Sequence, residues 1–139
     1  MLLSAFAGTA QDRAPSVAGV ALGMSVYQAR GVVGEAERET ESLGMRFWEY
    51  PRRGVTLIWK EAEGGVQGIV ASRGAAGAVQ GVSVGDTEPV LRQRWGHPAR
   101  VRQDGRFLDF VGAGWVLSAE VKEGTIVEIT LMAAGTSSH

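Results

Sequence analysis

The chain has 139 residues, 45% hydrophobic and 21% charged, which predicts a folded chain with one core, or two small units sharing one. A formal net charge of −1 gives no electrostatic basis for binding nucleic acid or an anionic membrane. The absence of cysteine excludes disulfides, thiol catalysis, thiolate metal sites and a lipid-modified N-terminal Cys, and no apolar run reaches the length of a membrane-spanning helix.

Residues 1–16 read as a flexible leader. Leu2–Ala7 is apolar and Ala5-Phe6-Ala7 resembles a small-residue cleavage site, but no basic segment precedes it. Two readings stand side by side: the remnant of an export signal, or the frayed start of a cytoplasmic protein. The first sets the expected location as extracytoplasmic, periplasmic or secreted. Val17–Leu22 is a short strand or an extended lead-in. Ser25 is a candidate N-cap, since its hydroxyl can accept from an orphan backbone N–H. A helix over Val26–Val33 then puts Val26, Ala29 and Val33 on one stripe, and Gly34 closes it. Glu35–Ser42 is dense in charge and reads as a solvated connector. Three strands follow, Met45–Tyr50, Val55–Lys60 and Val66–Ala71, divided by turns at Pro51–Gly54 and Glu61–Gly65. The Gly/Ala-rich stretch Ser72–Ala78 reads as a linker.

The plan then recurs. Thr87 caps a helix over Glu88–Trp95, with Pro89 in the first turn, Leu91 and Trp95 on one face, and Gly96 at the end. Strands are expected at Arg106–Val111, Trp115–Val121 and Thr125–Met132, and residues 133–139 form a tail. Gly19–Arg38 lies over Gly81–Arg100 at an offset of 62, sharing Gly19/Gly81, Val20/Val82, Gly23/Gly85, Gly34/Gly96 and Arg38/Arg100. Met45–Ala71 lies over Gly105–Leu131 at an offset of 60, sharing Arg46/Arg106, Phe47/Phe107, Gly54/Gly114, Leu57/Leu117, Gly64/Gly124 and Ile69/Ile129. The expected fold is therefore α+β: two tandem helix-plus-three-strand antiparallel repeats, 17–71 and 79–132. They share one sheet with both helices on one face.

Strand alternation assigns the two faces. Trp48, Tyr50, Leu108 and Phe110 point to the helices, as do Val55, Leu57, Trp59, Trp115, Leu117 and Ala119, with Ile69, Val127, Ile129 and Leu131. The other face takes Phe47, Glu49, Phe107 and Asp109, then Thr56, Ile58, Lys60, Val116, Ser118 and Glu120, then Val66, Val70, Ile126, Glu128 and Thr130. A sheet face meant only for water is more uniformly polar than this. Aromatic and aliphatic anchors among charges suit a protein-binding surface. The apolar anchors are Phe47, Ile58, Phe107 and Val116; Glu49, Lys60, Asp109, Glu120 and Glu128 supply charge selectivity.

One pattern runs Gly-Val-x-(Leu/Val)-Gly-(Met/Asp)-(Ser/Thr), a helix, Gly-His-Pro, an aromatic strand at Phe107–Phe110, and Gly124-Thr125-Ile126-Val127-Glu128-Ile129. It resembles the superfamily of BLIP-like (β-lactamase-inhibitory-protein-like) and BamE-like (SmpA/OmlA-like) proteins. The resemblance covers residues 17–132 and implies tandem helix-plus-sheet units, with an extracytoplasmic binding role exercised through the sheet face. The chain departs from that pattern in having no Cys, where the tandem members carry disulfides and the single-unit members a lipidated Cys. No inhibitory contact carries over residue by residue, and no particular target is implied.

Catalytic and metal patterns are weak by comparison. His97 follows the helix-ending Gly96 without a second internal His or any Cys, which leaves zinc with carboxylates alone. Glu49 and Asp109 occupy matching strand positions but belong to different units. The Gly64–Gly68 run lacks the helix of a phosphate-binding loop. The sequence thus predicts a non-enzymatic protein-binding module, with an inhibitor-like role as one form of it, and with no cofactor, no metal, no nucleic acid and no membrane insertion. Its partner is another protein; the alternatives are a homodimer that closes the same face, and a small-ligand carrier or enzyme with a cleft between the repeats.

Overall fold

The computed structural model of the chain describes residues 15–60, 64–75 and 77–134, so most of the expected leader and tail lies outside the described residues. Helix α1 (Val26–Val33) forms where its cap signals place it. Ser25 Oγ accepts from the Gln28 backbone N–H at 3.0 Å, and the Gln28 side-chain oxygen accepts in return from the Ser25 N–H at 3.1 Å. Helix α2 (Glu88–Trp95) starts after Thr87, whose side chain makes no cap bond; the Glu88 N–H donates instead to the Gly124 carbonyl at 3.0 Å.

The sheet corrects the expected plan. Eight strands form one antiparallel sheet: β1 (Arg38–Ser42), β2 (Met45–Tyr50), β3 (Val55–Lys60), β4 (Val66–Ala71), β5 (Arg100–Arg102), β6 (Phe107–Gly112), β7 (Trp115–Lys122) and β8 (Thr125–Ala133). Their spatial order is β1-β2-β3-β4-β8-β7-β6-β5. Each helix is followed by four strands, not three, so the helix-plus-three-strand, BLIP-like repeat is not the fold of this chain. The additional strands are the two sheet edges. All five residues of β1 are exposed, so no inside–outside alternation marks it in the sequence. Its ladder is set by its neighbour β2 and by cross-strand pairs such as Arg46–Glu39 at 3.0 Å.

The two halves join where β4 pairs with β8. In each half the loop before the helix is tied to the fourth strand. Gly23 and Gly85 donate to the carbonyls of Val66 and Ile126 at 2.8 Å, and Val66 and Ile126 donate back to Met24 and Asp86 at 2.9 Å. These ties seat both helices on the same face of the sheet, over a single core that includes Ala29, Tyr50, Leu57, Ile69, Leu91, Leu117, Ile129 and Leu131. Tyr50 donates to the Gly34 carbonyl at 2.8 Å, and Trp95 meets Phe110 edge-on at 5.2 Å.

Three strand residues break the expected alternation. Val66 and Ile126 are buried, each 1% exposed, whereas Val127 is only half-buried. The cause is a β-bulge in each half. The register runs Ile58↔Gly68 then Trp59↔Val66, stepping over Gln67, and Glu120↔Glu128 then Val121↔Ile126, stepping over Val127. One extra residue reverses the face of everything before it on that strand.

Candidate functional site: the open face of the sheet

Register places the residues opposite the helix layer in three rows that cross the strands. The first row is Phe47–Ile58–Gly68–Met132–Val116–Val111 across β2, β3, β4, β8, β7 and β6. It is apolar throughout. At its centre Met132 fills the space above Gly68, where an added Cβ would collide with the Met132 sulfur and lie 3.4 Å from Ile58 Cδ1. A side chain on one half of the sheet therefore lies over the backbone of the other. Ile58, expected as an exposed anchor, is reduced to 9% exposure.

The second row is Glu49–Thr56–Val70–Thr130–Ser118–Asp109. An arginine from an edge strand closes each end. Arg38 on β1 meets Glu49 at 2.6 Å, and Arg100 on β5 meets Asp109 at 2.9 Å. Asp109 is the more enclosed of the two carboxylates, at 0% exposure. It accepts from Arg102 Nε and Nη2 at 2.7 and 2.9 Å, from Arg100 Nε at 2.9 Å and from Ser118 Oγ at 2.7 Å. Burial by itself would push this carboxyl up, but the donors from Arg102, Ser118 and Arg100 outweigh it and hold the pKa at about 2. Asp109, expected to read charge on a partner, is instead sequestered, and its charge is consumed inside the protein. Glu49 and Asp109 stand five strand spacings apart, roughly 24 Å, far outside the range of a paired-carboxylate acid/base site.

The third row is Glu128–Glu120–Phe107–Arg102. Arg102 and Arg106 flank the Phe107 ring at 4.8 and 5.7 Å, and Arg106 also holds Glu120 at 2.7 Å. Burial, with the neighbouring Glu120 charge added to it, raises the Glu128 carboxyl above its ordinary value, against a smaller opposing effect of Lys122.

These rows divide the expected site residues into two groups. Phe107, Asp109, Val116, Glu120 and Glu128 line one shallow depression of about 390 Å³. Phe47, Glu49, Ile58 and Lys60 lie on β2 and β3 in the other half, with Lys60 opposite Met45 beyond the apolar row. Sequence reasoning missed Met132, Arg100 and Arg102, which border the same depression. The arginines belong to an edge strand too short to show a period, although their repetition two residues apart was a visible signal. A wider depression of about 870 Å³ lies at the β7–β8 hairpin, bordered by Arg73, Glu88, Asp104, Arg106, Lys122 and Thr125. Its charges are mixed in sign. Among the described residues no cluster of His, Asp or Glu has the makings of a metal site.

No family model matches the chain, and no curated protein matches it. Solved structures do. A cysteine-rich secretory protein from Staphylococcus aureus superposes with a TM-score of 0.62 at 9% identity, over 88% of this chain and 49% of that one. An extracellular protein containing an SCP domain, from Bacillus anthracis, gives 0.53 at 11% identity, over 81% and 44%. A DUF4309 family protein from Bacillus subtilis gives 0.51 at 15% identity, over 78% of each chain. The chain thus spans about half the length of the first two of these proteins. At such identities the likeness is one of fold.

Proposed function

We propose that this chain is a non-enzymatic protein-binding module that works outside the cytoplasm and engages its partner through the open face of the sheet. The observation that carries the reading is the apolar row Phe47–Ile58–Gly68–Met132–Val116, which crosses five strands on the face opposite both helices. Phe47, Val116 and Met132 along that row are only half-buried. A monomeric face with no partner gains nothing from an unbroken apolar row flanked by a polar one, whereas a binding face gains an anchor line beside charged groups. The use of the sheet face agrees with what the BLIP-like and BamE-like resemblance implied, but it rests here on the face itself. Two of the similar structures belong to proteins described as secretory or extracellular, and among the described residues no helix is long and apolar enough to cross a membrane. The first of these supports an extracytoplasmic setting.

The test is capture of partners from an extracellular and envelope extract by the wild-type chain and by Phe47→Ala/Phe107→Ala. Both rings are partly exposed, so each truncation should cost less than the roughly 3–5 kcal/mol of a fully buried Phe and the double variant should still fold, while specific capture disappears. Capture of the same proteins by both chains, or unfolding of the double variant, would remove the face from the account.

A further inference from the structure

We infer that the occupant of this face is a protein segment bearing a basic side chain, and that the side chain docks on Glu128 beside Glu120; the inference rests on the binding-face reading above. Glu120 and Glu128 stand directly opposite each other on β7 and β8, on the open side of the sheet. Like charges in that relation repel, and the fold keeps them there. Arg106 compensates Glu120 at 2.7 Å. Other carboxylates of the face are also clamped, Asp109 by Arg100 and Arg102 and Glu49 by Arg38. Glu128 alone of these four has neither hydrogen bond nor ion pair among the described residues, and the nearby Lys122 charge is outweighed by burial and by Glu120. One acceptor of the face is therefore left open.

Its surroundings specify what fits. The depression that holds Glu128 is lined by Phe107, Val116 and Met132 and by Arg100 and Arg102, whose charges are already paired with Asp109. A Lys or Arg side chain has the matching composition, a hydrocarbon stem for the apolar wall and a cationic head for the carboxylate. An acidic side chain would meet two carboxylates. A wholly apolar one would strip water from Glu128 and return nothing, which costs more than leaving the face bare. The partner chemistry follows from charge complementarity: a segment with apolar residues for the Phe47–Val116 row and a basic residue placed for Glu128.

Two labelled peptides with the same apolar pattern test this, one with lysine and one with glutamate at the remaining positions. Their binding to the full chain is followed by fluorescence anisotropy at low and near-physiological salt, for the wild type, Glu128→Gln and Phe47→Ala/Phe107→Ala. The lysine peptide is expected to bind, to weaken with salt, and to lose roughly tenfold or more in affinity with Glu128→Gln. The glutamate peptide is expected not to bind. Equal binding of both peptides, unchanged affinity in Glu128→Gln, or binding of neither at millimolar peptide would overturn the inference. So would calcium binding by the wild type that Glu128→Gln removes, because the open acceptor would then be a cation site. If Phe47→Ala/Phe107→Ala abolishes binding while Glu128→Gln does not, the face reading survives without the basic partner; binding indifferent to both variants brings down both.

Discussion

Asp109 and Glu128 lie on the same sheet face, and their environments push them in opposite directions. For Asp109, burial opposes ionisation, but two arginines and a serine hydroxyl hold the carboxyl at about 2, below its ordinary 3.8. A folded-state pKa below the unfolded one contributes stability at neutral pH, and that stability is lost as pH falls from about 4 through about 2. The shift corresponds to about 2 kcal/mol. Asp109→Asn leaves Arg100 and Arg102 without their shared anion, so urea denaturation at pH 7 should show a loss of about 3 kcal/mol, with a flatter stability profile below pH 4. Equal stability of the two chains at pH 7 would mean that the clamp contributes nothing. Glu128 has the reverse sign. Its folded pKa is raised, so the protein is more stable with it protonated, and that contribution is lost as pH rises from 4.5 through the raised value. Glu128→Gln should therefore melt at or above the wild-type temperature at pH 7, with the difference shrinking below pH 4.5. A residue that weakens the fold while charged, and whose removal weakens binding, is kept for the partner. A marked drop in melting temperature would make Glu128 structural.

At the scale of elements, the central contact is Met132 on β8 lying over Gly68 on β4. Gly68→Ala puts a methyl group where the Met132 sulfur sits, and the expected cost is about 1–3 kcal/mol. Met132→Ala should relieve most of that cost, so a double-mutant cycle should return a clear coupling energy. Independent, additive effects would show that the two halves do not lean on each other there. Nothing in the sequence marks this contact, because a Gly in a strand and a Met near a strand end each look unremarkable alone. The interior strands were legible, since Trp48, Tyr50, Leu108 and Phe110 alternate with polar or exposed neighbours. The edge strands were not, because Arg38–Ser42 is exposed on both sides. The bulges at Gln67 and Val127 were also invisible, since periodicity assumes that no residue is skipped. A subtler slip concerns the third strand of each half. Identity matched Leu57 to Leu117, but the residue opposite Tyr50 is Val55 and the one opposite Phe110 is Leu117. The β6–β7 turn takes two residues, Ala113 and Gly114, where the β2–β3 turn takes four. A shift of two keeps every side chain on its own face. For that reason the inside and outside sets survived while their cross-strand neighbours changed.

At the scale of the molecule, pairing of β4 with β8 turns two helix-led halves into one sheet with one core. Both helices lie on one side of it, so burial is one-sided and the second face is left to carry apolar anchors among charges. The same layout explains why the expected site residues do not form one patch. Sheet order puts β2 and β6 five strands apart, and the two groups are joined across the β4–β8 seam by the apolar row and by the row that ends on Glu49 and Asp109. The similar structures share this architecture at 9–15% identity, so the arrangement of strands is common to chains whose surface residues differ. What this chain binds is therefore to be sought in its own face.

The central claim is that this face is free in the isolated protein and reserved for another. Light scattering across a concentration series, on the purified chain, tests it most directly. The account predicts a mass near 14.7 kDa at every concentration. A species of twice that mass, dispersed by Phe47→Ala/Phe107→Ala, would contradict it, because the face would already be closed by a second copy.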